Sequence, residues 1–149
     1  SEAKASLFNL NQTIYKRYHQ KPLFQAIAVL PTGTEANYKK VIDELSAFTN
    51  IDKWKFVYKN KETIKSLYNS LETPFELNDN LFSEFAFIVD MESRLRGRKD
   101  DEDTKGGKLF GYNMRSVSEL KNKMKDDIDI IYYQLKKSEE KKARRKREI

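Results

Sequence analysis

The stretch Phe82-Ser-Glu-Phe-Ala-Phe-Ile-Val-Asp-Met-Glu-Ser-Arg-Leu-Arg-Gly-Arg98 decides how the chain is read. An apolar run that ends in a tight turn and resumes as a short alternating run is a β-hairpin signal. Phe85, Ala86, Phe87, Ile88 and Val89 are consecutive apolar residues, which predicts a strand covered on both faces. Asp90 to Ser93 supplies the turn, because Asp and Ser oxygens can satisfy nearby backbone N–H groups. Arg94 to Arg98 then reads as an edge strand with its charges turned outward.

Working back toward Ser1, Leu7, Leu10, Ile14 and Tyr18 recur at spacings of three and four, with Phe8 and Tyr15 beside them, and predict an amphipathic helix closed by Pro22. Residues 23–30 contain one polar member in eight between Pro22 and Pro31, the mark of a buried strand in a parallel sheet. Thr34 is placed to N-cap the next helix, in which Tyr38, Val41, Ile42, Leu45 and Phe48 share one face. Trp54 to Tyr58 alternates as an aromatic edge strand, and a third helix follows with Ile64, Leu67, Tyr68 and Leu71 inward.

Working forward from Arg98, the segment with Asp100, Asp101, Glu102, Asp103, Gly106 and Gly107 reads as a mobile loop across residues 99–113. Ser116 and Glu119 have capping-box spacing, and Val117, Leu120, Met124, Ile128, Ile131 and Leu135 continue as a long final helix. The order is therefore helix, strand, helix, strand, helix, hairpin, helix, without an internal repeat. It predicts an α/β fold with helices on both faces of a mixed sheet. One domain over residues 1–135 and a charged tail over 136–149 account for the whole length of 149 residues.

Composition excludes several classes of chemistry. Zero cysteines removes disulfides, thiol nucleophiles and thiolate metal sites from these residues. No apolar run reaches the roughly 18–20 residues needed to span a bilayer, no secretory pattern stands at Ser1, and the chain reads as soluble. The formal charge of +6 is concentrated at one end. Residues 136–149 hold eight Lys or Arg against three Glu, a net +5, which leaves about +1 for the other 135 residues. Within that tail Lys141, Lys142, Arg144, Arg145, Lys146 and Arg147 form a candidate surface for phosphates or an anionic bilayer. The plain reading of the same run is a helix end whose cations complement the helix dipole before it frays.

Other candidates carry less. His19 is the only histidine, set among Lys16, Arg17 and Lys21 at a helix end, where a cation caps the dipole, and no second base or acid is spaced to serve it. The acids at 100–103 lack the calcium-loop pattern, and Gly106 to Gly111 lacks the Gly-Lys-Ser/Thr ending of a phosphate loop. Trp54, Phe56, Tyr58, Tyr132 and Tyr133 could stack single-stranded bases, but their spacing matches strand and helix packing. No catalytic residue, metal ligand or cofactor is assigned.

Three segments resemble a known family. Residues 23–34, LFQAIAVLPTGT, are similar to a strand ending in an Asp-Pro-like turn with Thr before a helix. Trp54-Lys-Phe-Val-Tyr58 resembles a Trp-x-Phe strand, and Phe87-Ile-Val-Asp90 through Leu95-Arg-Gly97 resembles a hairpin with an Asp-x-x-Gly-type turn. Together they resemble the thioredoxin-like SCO/SenC proteins, envelope copper chaperones of cytochrome oxidase assembly, over about residues 7–135. The resemblance implies a thioredoxin-like three-layer sandwich and a periplasmic or membrane-anchored envelope location. It also implies a copper and redox site made from a Cys-x-x-x-Cys loop before the first helix and a His before the hairpin. This chain has no cysteine, and Leu81-Phe-Ser-Glu84 stands where the His would fall. Met91, Met114 and Met124 have no clustered spacing to replace soft ligands.

The resemblance further implies a central strand before the first helix, between residues 23–30 and 84–89, for which no sequence remains. Without it two half-sheets would expose their edges. The slot is expected to be filled by an upstream part of a longer chain, by direct pairing of the two halves, or by a strand from a neighbouring molecule, which would make an oligomer. The expected function is a noncatalytic SCO-like domain that binds another protein or serves assembly in the envelope. One alternative is a basic-tailed adaptor for nucleic acid or anionic membrane. Another, a copper chaperone or thiol oxidoreductase, requires cysteines upstream of Ser1.

Overall fold

The computed structural model describes residues 2–148. Ser1 and Ile149, which bound the two predicted regions 1–135 and 136–149, lie outside the described residues. Among the described residues the fold is mixed α/β, with four helices and three small sheets.

Helix α1 runs as Glu2–Leu10, a π-helical turn Asn11–Tyr15 and a last turn Lys16–Tyr18. Its apolar residues form two sides rather than the single stripe read from spacing. Leu7 and Tyr15 enter one core cluster, with Val41, Leu45 and Trp54, while Ile14 and Tyr18 enter another, with Ala86, Leu109, Tyr112, Leu120, Met124 and Ile128. Leu10 and Phe24 pack against both clusters, so α1 is the element that joins two halves of the molecule. Its π turn also buries Asn11, whose Oδ1 accepts from the Trp54 indole at 3.0 Å and whose Nδ2 donates to Thr49 Oγ1 at 3.1 Å. A buried amide persists only with such partners.

Strand β1 (Ala26–Pro31) pairs in parallel with β2 (Trp54–Lys59), Ala26 opposite Trp54 and Pro31 opposite Lys59, through helix α2 (Glu35–Phe48). The buried strand expected over residues 23–30 begins at Ala26 and is covered unevenly on its two faces. Ala26 and Ala28 pack toward α1 and α2 and Leu30 is buried, whereas Ile27 is 59% exposed on the opposite face. Thr34 does not cap α2 with its side chain. Its hydroxyl donates to Pro31 O at 2.6 Å, and the Glu35 carboxylate accepts from Gly33 N–H instead. Helix α3 (Lys61–Ser70) is capped as the sequence pattern favours, with Asn60 Oδ1 accepting from Thr63 N–H at 2.8 Å; Ile64 is buried but Leu67 is half exposed.

The predicted hairpin is present and differs in detail. The run 85–89 divides into β3 (Phe85–Ala86) and β4 (Ile88–Val89), and β4 pairs antiparallel with β5 (Leu95–Arg96). Asp90 makes the turn as expected, its Oδ1 accepting from Glu92 and Arg94 N–H groups at 2.9 and 3.0 Å. The run is not covered on both faces, since Val89 is largely exposed. Strand β3 pairs instead with β6 (Tyr112–Asn113). The strands thus form three two-stranded sheets, β1–β2, β3–β6 and β4–β5, rather than one continuous mixed sheet, because no described residue pairs with the edges between them.

Residues 99–113 also depart from the expected coreless loop. Arg98 and Leu109 exchange backbone hydrogen bonds at 3.1 and 2.8 Å, closing the segment at its base and burying Leu109 and Tyr112. That close approach requires Gly97, where an added Cβ would lie 2.2 Å from Leu109 O. Helix α4 opens at Val117–Glu119, passes through a second π-helical turn Leu120–Met124 and continues as Lys125–Glu148. The capping box is half formed. Ser116 Oγ accepts from Glu119 N–H at 3.0 Å, but the Glu119 carboxylate accepts from Asn113 N–H and so ties β6 to the helix start.

Candidate functional site

The six predicted anion-binding residues all lie on one continuous element. Lys141, Lys142, Arg144, Arg145, Lys146 and Arg147 extend α4 without a break after Leu135, and each is exposed. They surround the helix rather than forming one stripe, since successive residues of a helix turn by about 100°. Ala143 is the sole apolar residue from 136 to 148, so this part of α4 has no face that could sink into a bilayer. What it offers is dense positive charge on the solvent-exposed surface.

The other candidates are dispersed. His19 stacks on Tyr15 with ring centroids 5.2 Å apart. Trp54 is buried between Tyr15 and Phe56, with centroids 5.3 Å from each, as the packing interpretation of the aromatics expects. Tyr133 is exposed under the Lys137 ammonium, so the five aromatics do not form one stacking platform. Met91 is exposed and Met124 buried in the core. Among the described residues no group of three or more His, Cys, Asp or Glu side chains is placed to hold a metal ion.

Within 99–113 two of the four acids, Asp101 and Asp103, pair with side chains. The Asp101 carboxylate is buried, accepts from the Thr104 hydroxyl and pairs with Lys123 Nζ at 2.9 Å; Asp103 shares the same ammonium at 2.9 Å. The Thr104 hydrogen bond, aided by Lys123 and opposed by burial, holds the Asp101 carboxyl below the usual carboxylate range. At the hairpin turn, burial pushes the Asp90 carboxyl up, but the N–H groups of Arg94 and Glu92 and the two guanidinium groups of Arg94 and Arg96 outweigh it and hold it low.

These shifts fix the sign of an acid response. A carboxyl lowered in the folded state contributes stability above its unfolded pKa of about 3.9, and that stability is lost as pH falls through the folded value. Urea midpoints are therefore expected to be level from pH 7 to 5 and to fall below about pH 4. Asp101→Asn should weaken the chain by about 1–2 kcal/mol at pH 7 and flatten part of the acid slope. A slope identical to that of the parent chain would remove Asp101 from this role. Burial, then the Asp127 and Asp129 carboxylates, raise the Tyr112 and Tyr18 hydroxyls, so their contribution is present below about pH 10 and lost at higher pH.

A polar network not foreseen from sequence lies where the hairpin, residues 99–113 and α4 meet. Arg98 does not turn outward as its place on an edge strand predicts: its Nε donates to both oxygens of buried Asp127 at 3.1 and 3.0 Å and its NH2 group to Lys123 O at 3.2 Å. Tyr112, fully buried, donates its hydroxyl to Asp127 Oδ2 at 2.6 Å. The Asp127 hydrogen bond, ahead of an opposing effect of burial, raises the Arg98 guanidinium further. A faint signal existed, because Asp127 falls three residues after Met124 and beside Ile128, on the apolar side of α4. Every member is satisfied, which suits a structural clasp.

Geometry and charge together define a mixed α/β protein whose body carries polar clasps and whose last helix extends outward as a basic rod. No family model, no curated protein and no solved structure matches this chain.

Proposed function

We propose that this chain is a thioredoxin-like domain of the SCO/SenC type that acts by binding another protein in envelope or respiratory-complex assembly, without a redox or metal centre supplied by these residues. The observation that supports it is the layering around β1 and β2. Helices α1 and α2 pack on the face formed by Ala26, Ala28 and Phe56, whereas α3 lies against β1 and reaches the hairpin through Tyr68. A hairpin turned by Asp90 and a final helix packed against α1 then follow in the order of a thioredoxin-like sandwich. The central strand is the piece these residues lack.

The test is genetic. Deleting the gene should lower the amount of assembled cytochrome oxidase, and copper added to the medium should not restore it. Full rescue by copper would replace an assembly role with metal delivery, and unchanged oxidase would end the proposal. A reporter fused after residue 148 that is active only in the cytoplasm would remove the envelope location.

The exposed basic length of α4 favours a second reading, an adaptor for polyanions. If Lys141, Lys142, Arg144, Arg145, Lys146 and Arg147 each meet a phosphate on duplex DNA, log K should fall with log salt at a slope of about −5. Truncation after Leu135 should abolish binding and leave the fold intact. Binding that survives truncation would overturn this reading.

A further inference from the structure

Among the described residues each of the three sheets leaves a strand edge unpaired, β1 on one half of the molecule and β3 and β4 on the other. Ala26 N–H donates to Lys53 O and Thr32 N–H to Lys59 O, so the even-numbered residues of β1 bond to β2 and the backbone groups of Ile27 and Val29 point away from it. On the other half, Met114 N–H donates to Glu84 O and Asp90 N–H to Arg94 O, in register with the pairs Ala86–Tyr112 and Ile88–Arg96. Even-numbered residues from 84 to 90 therefore all turn toward β6 and β5, which leaves Phe85, Phe87 and Val89 to the opposite edge. Phe85 N–H alone finds a local substitute, Ser83 Oγ at 3.2 Å.

Helices bridge the two halves on both sides. Above, Leu10 of α1 packs against both core clusters. Below, α3 lies against β1 while Tyr68 meets Ser83 Oγ at 2.9 Å and the Phe87 ring edge-on at 5.9 Å. The helices thus bound a slot between two strand edges whose backbone, apart from Phe85 N–H, has no partner among the described residues. Unpaired strand edges beside exposed apolar side chains such as Ile27 are rarely left open in a folded protein.

We infer that the slot receives one extended strand, parallel to β1, and that this strand is the stretch of the same polypeptide leading into α1 from before Ser1. Connection handedness selects the occupant. Parallel strands joined through a helix are right-handed in about 98% of cases. Helices α1 and α2 lie on the same face of β1–β2, tied to each other by Lys4 and Glu44 at 3.1 Å. Since β2 follows α2 on one side of β1, a strand that precedes α1 must lie on the other side of β1, which is the slot. The inference needs only pairing and handedness, and it stands whether or not the chain is of the SCO/SenC type.

Amide hydrogen exchange on the full-length natural polypeptide tests it. The Ile27 and Val29 amides should exchange as slowly as Ala28, which β2 already holds, and at least about 100-fold more slowly than in a chain of residues 1–149. The comparison with Ala28 inside the full-length protein decides the matter even if the shorter chain does not fold. Fast exchange at Ile27 and Val29 in the full-length protein would overturn the inference, as would a reading frame that opens at Ser1. Protection that disappears on dilution would assign the slot to a second copy, and protection that appears only with an added partner would assign it to that partner; either result overturns it.

Discussion

Replacing Asp127 by alanine is expected to lower stability by about 3 kcal/mol, at the lower end of the range for removing one partner of a buried ion pair. The lower end applies because Arg98 keeps about a quarter of its side chain in solvent. The loss is not that of one contact. It strands the Arg98 guanidinium and leaves the fully buried Tyr112 hydroxyl without its acceptor. For a chain of this length the melting temperature should fall by about 6–12 °C. Tyr112→Phe, which removes one donor and leaves the Arg98 pair intact, should cost only about 1–2 kcal/mol. The double variant should lose less than the two single losses combined, because the residues share one network. Thermal unfolding of the three variants checks this, and an Asp127→Ala protein melting within about 1 °C of the parent would mean the clasp carries no net stability.

The second large effect belongs to the other half. Trp54→Ala is expected to cost about 3–5 kcal/mol, since an aromatic of that size leaves a cavity that its neighbours fill only partly. Here those neighbours are the Tyr15 and Phe56 rings stacked on either side of the indole and Leu45 in the same cluster. Trp54→Phe separates packing from hydrogen bonding. It keeps most of the ring volume but leaves Asn11 Oδ1 buried without the indole donor, a loss of about 1–3 kcal/mol. Trp54 is the only tryptophan, so unfolding of both variants must be followed by far-ultraviolet circular dichroism rather than by fluorescence. Equal stability of the Ala and Phe variants would show that the indole is not packed as described.

The two expectations concern different halves held together by α1, and their comparison has a use beyond each number. If β1–β2 and the hairpin half unfold as one unit, both variants should broaden no transition and shift all probes together. A strand placed in the slot would couple the halves directly.

Local features were the legible ones. Apolar spacing marked all four helices, the acid at 90 marked the hairpin turn, and Asn60, although not singled out, is a residue type that caps helices. Burial was less legible. The apolar run around Ile27 reads as a strand covered on both sides because composition cannot tell a covered face from one awaiting cover. Residues 99–113 read as a coreless loop because four acids and two glycines dominate local composition, while Leu109 and Tyr112 find their core only after Arg98 and Leu109 pair. Arg98 read as outward because alternation along a short strand cannot register a carboxylate 29 positions away on α4.

The sequence by itself determined the helices, the hairpin turn, the parallel β1–α2–β2 unit and the basic charge gathered beyond Leu135, because each depends on side-chain period, backbone chemistry or composition within a few residues. Only the tertiary structure decided that α1 serves two cores, that Asp127 binds Arg98 and Tyr112, and that among the described residues the edges of β1 and of residues 85–89 remain unpaired. Those outcomes depend on which distant surfaces meet, and a buried charge or an unpaired backbone edge acquires its energetic meaning only from the group that does or does not stand opposite it.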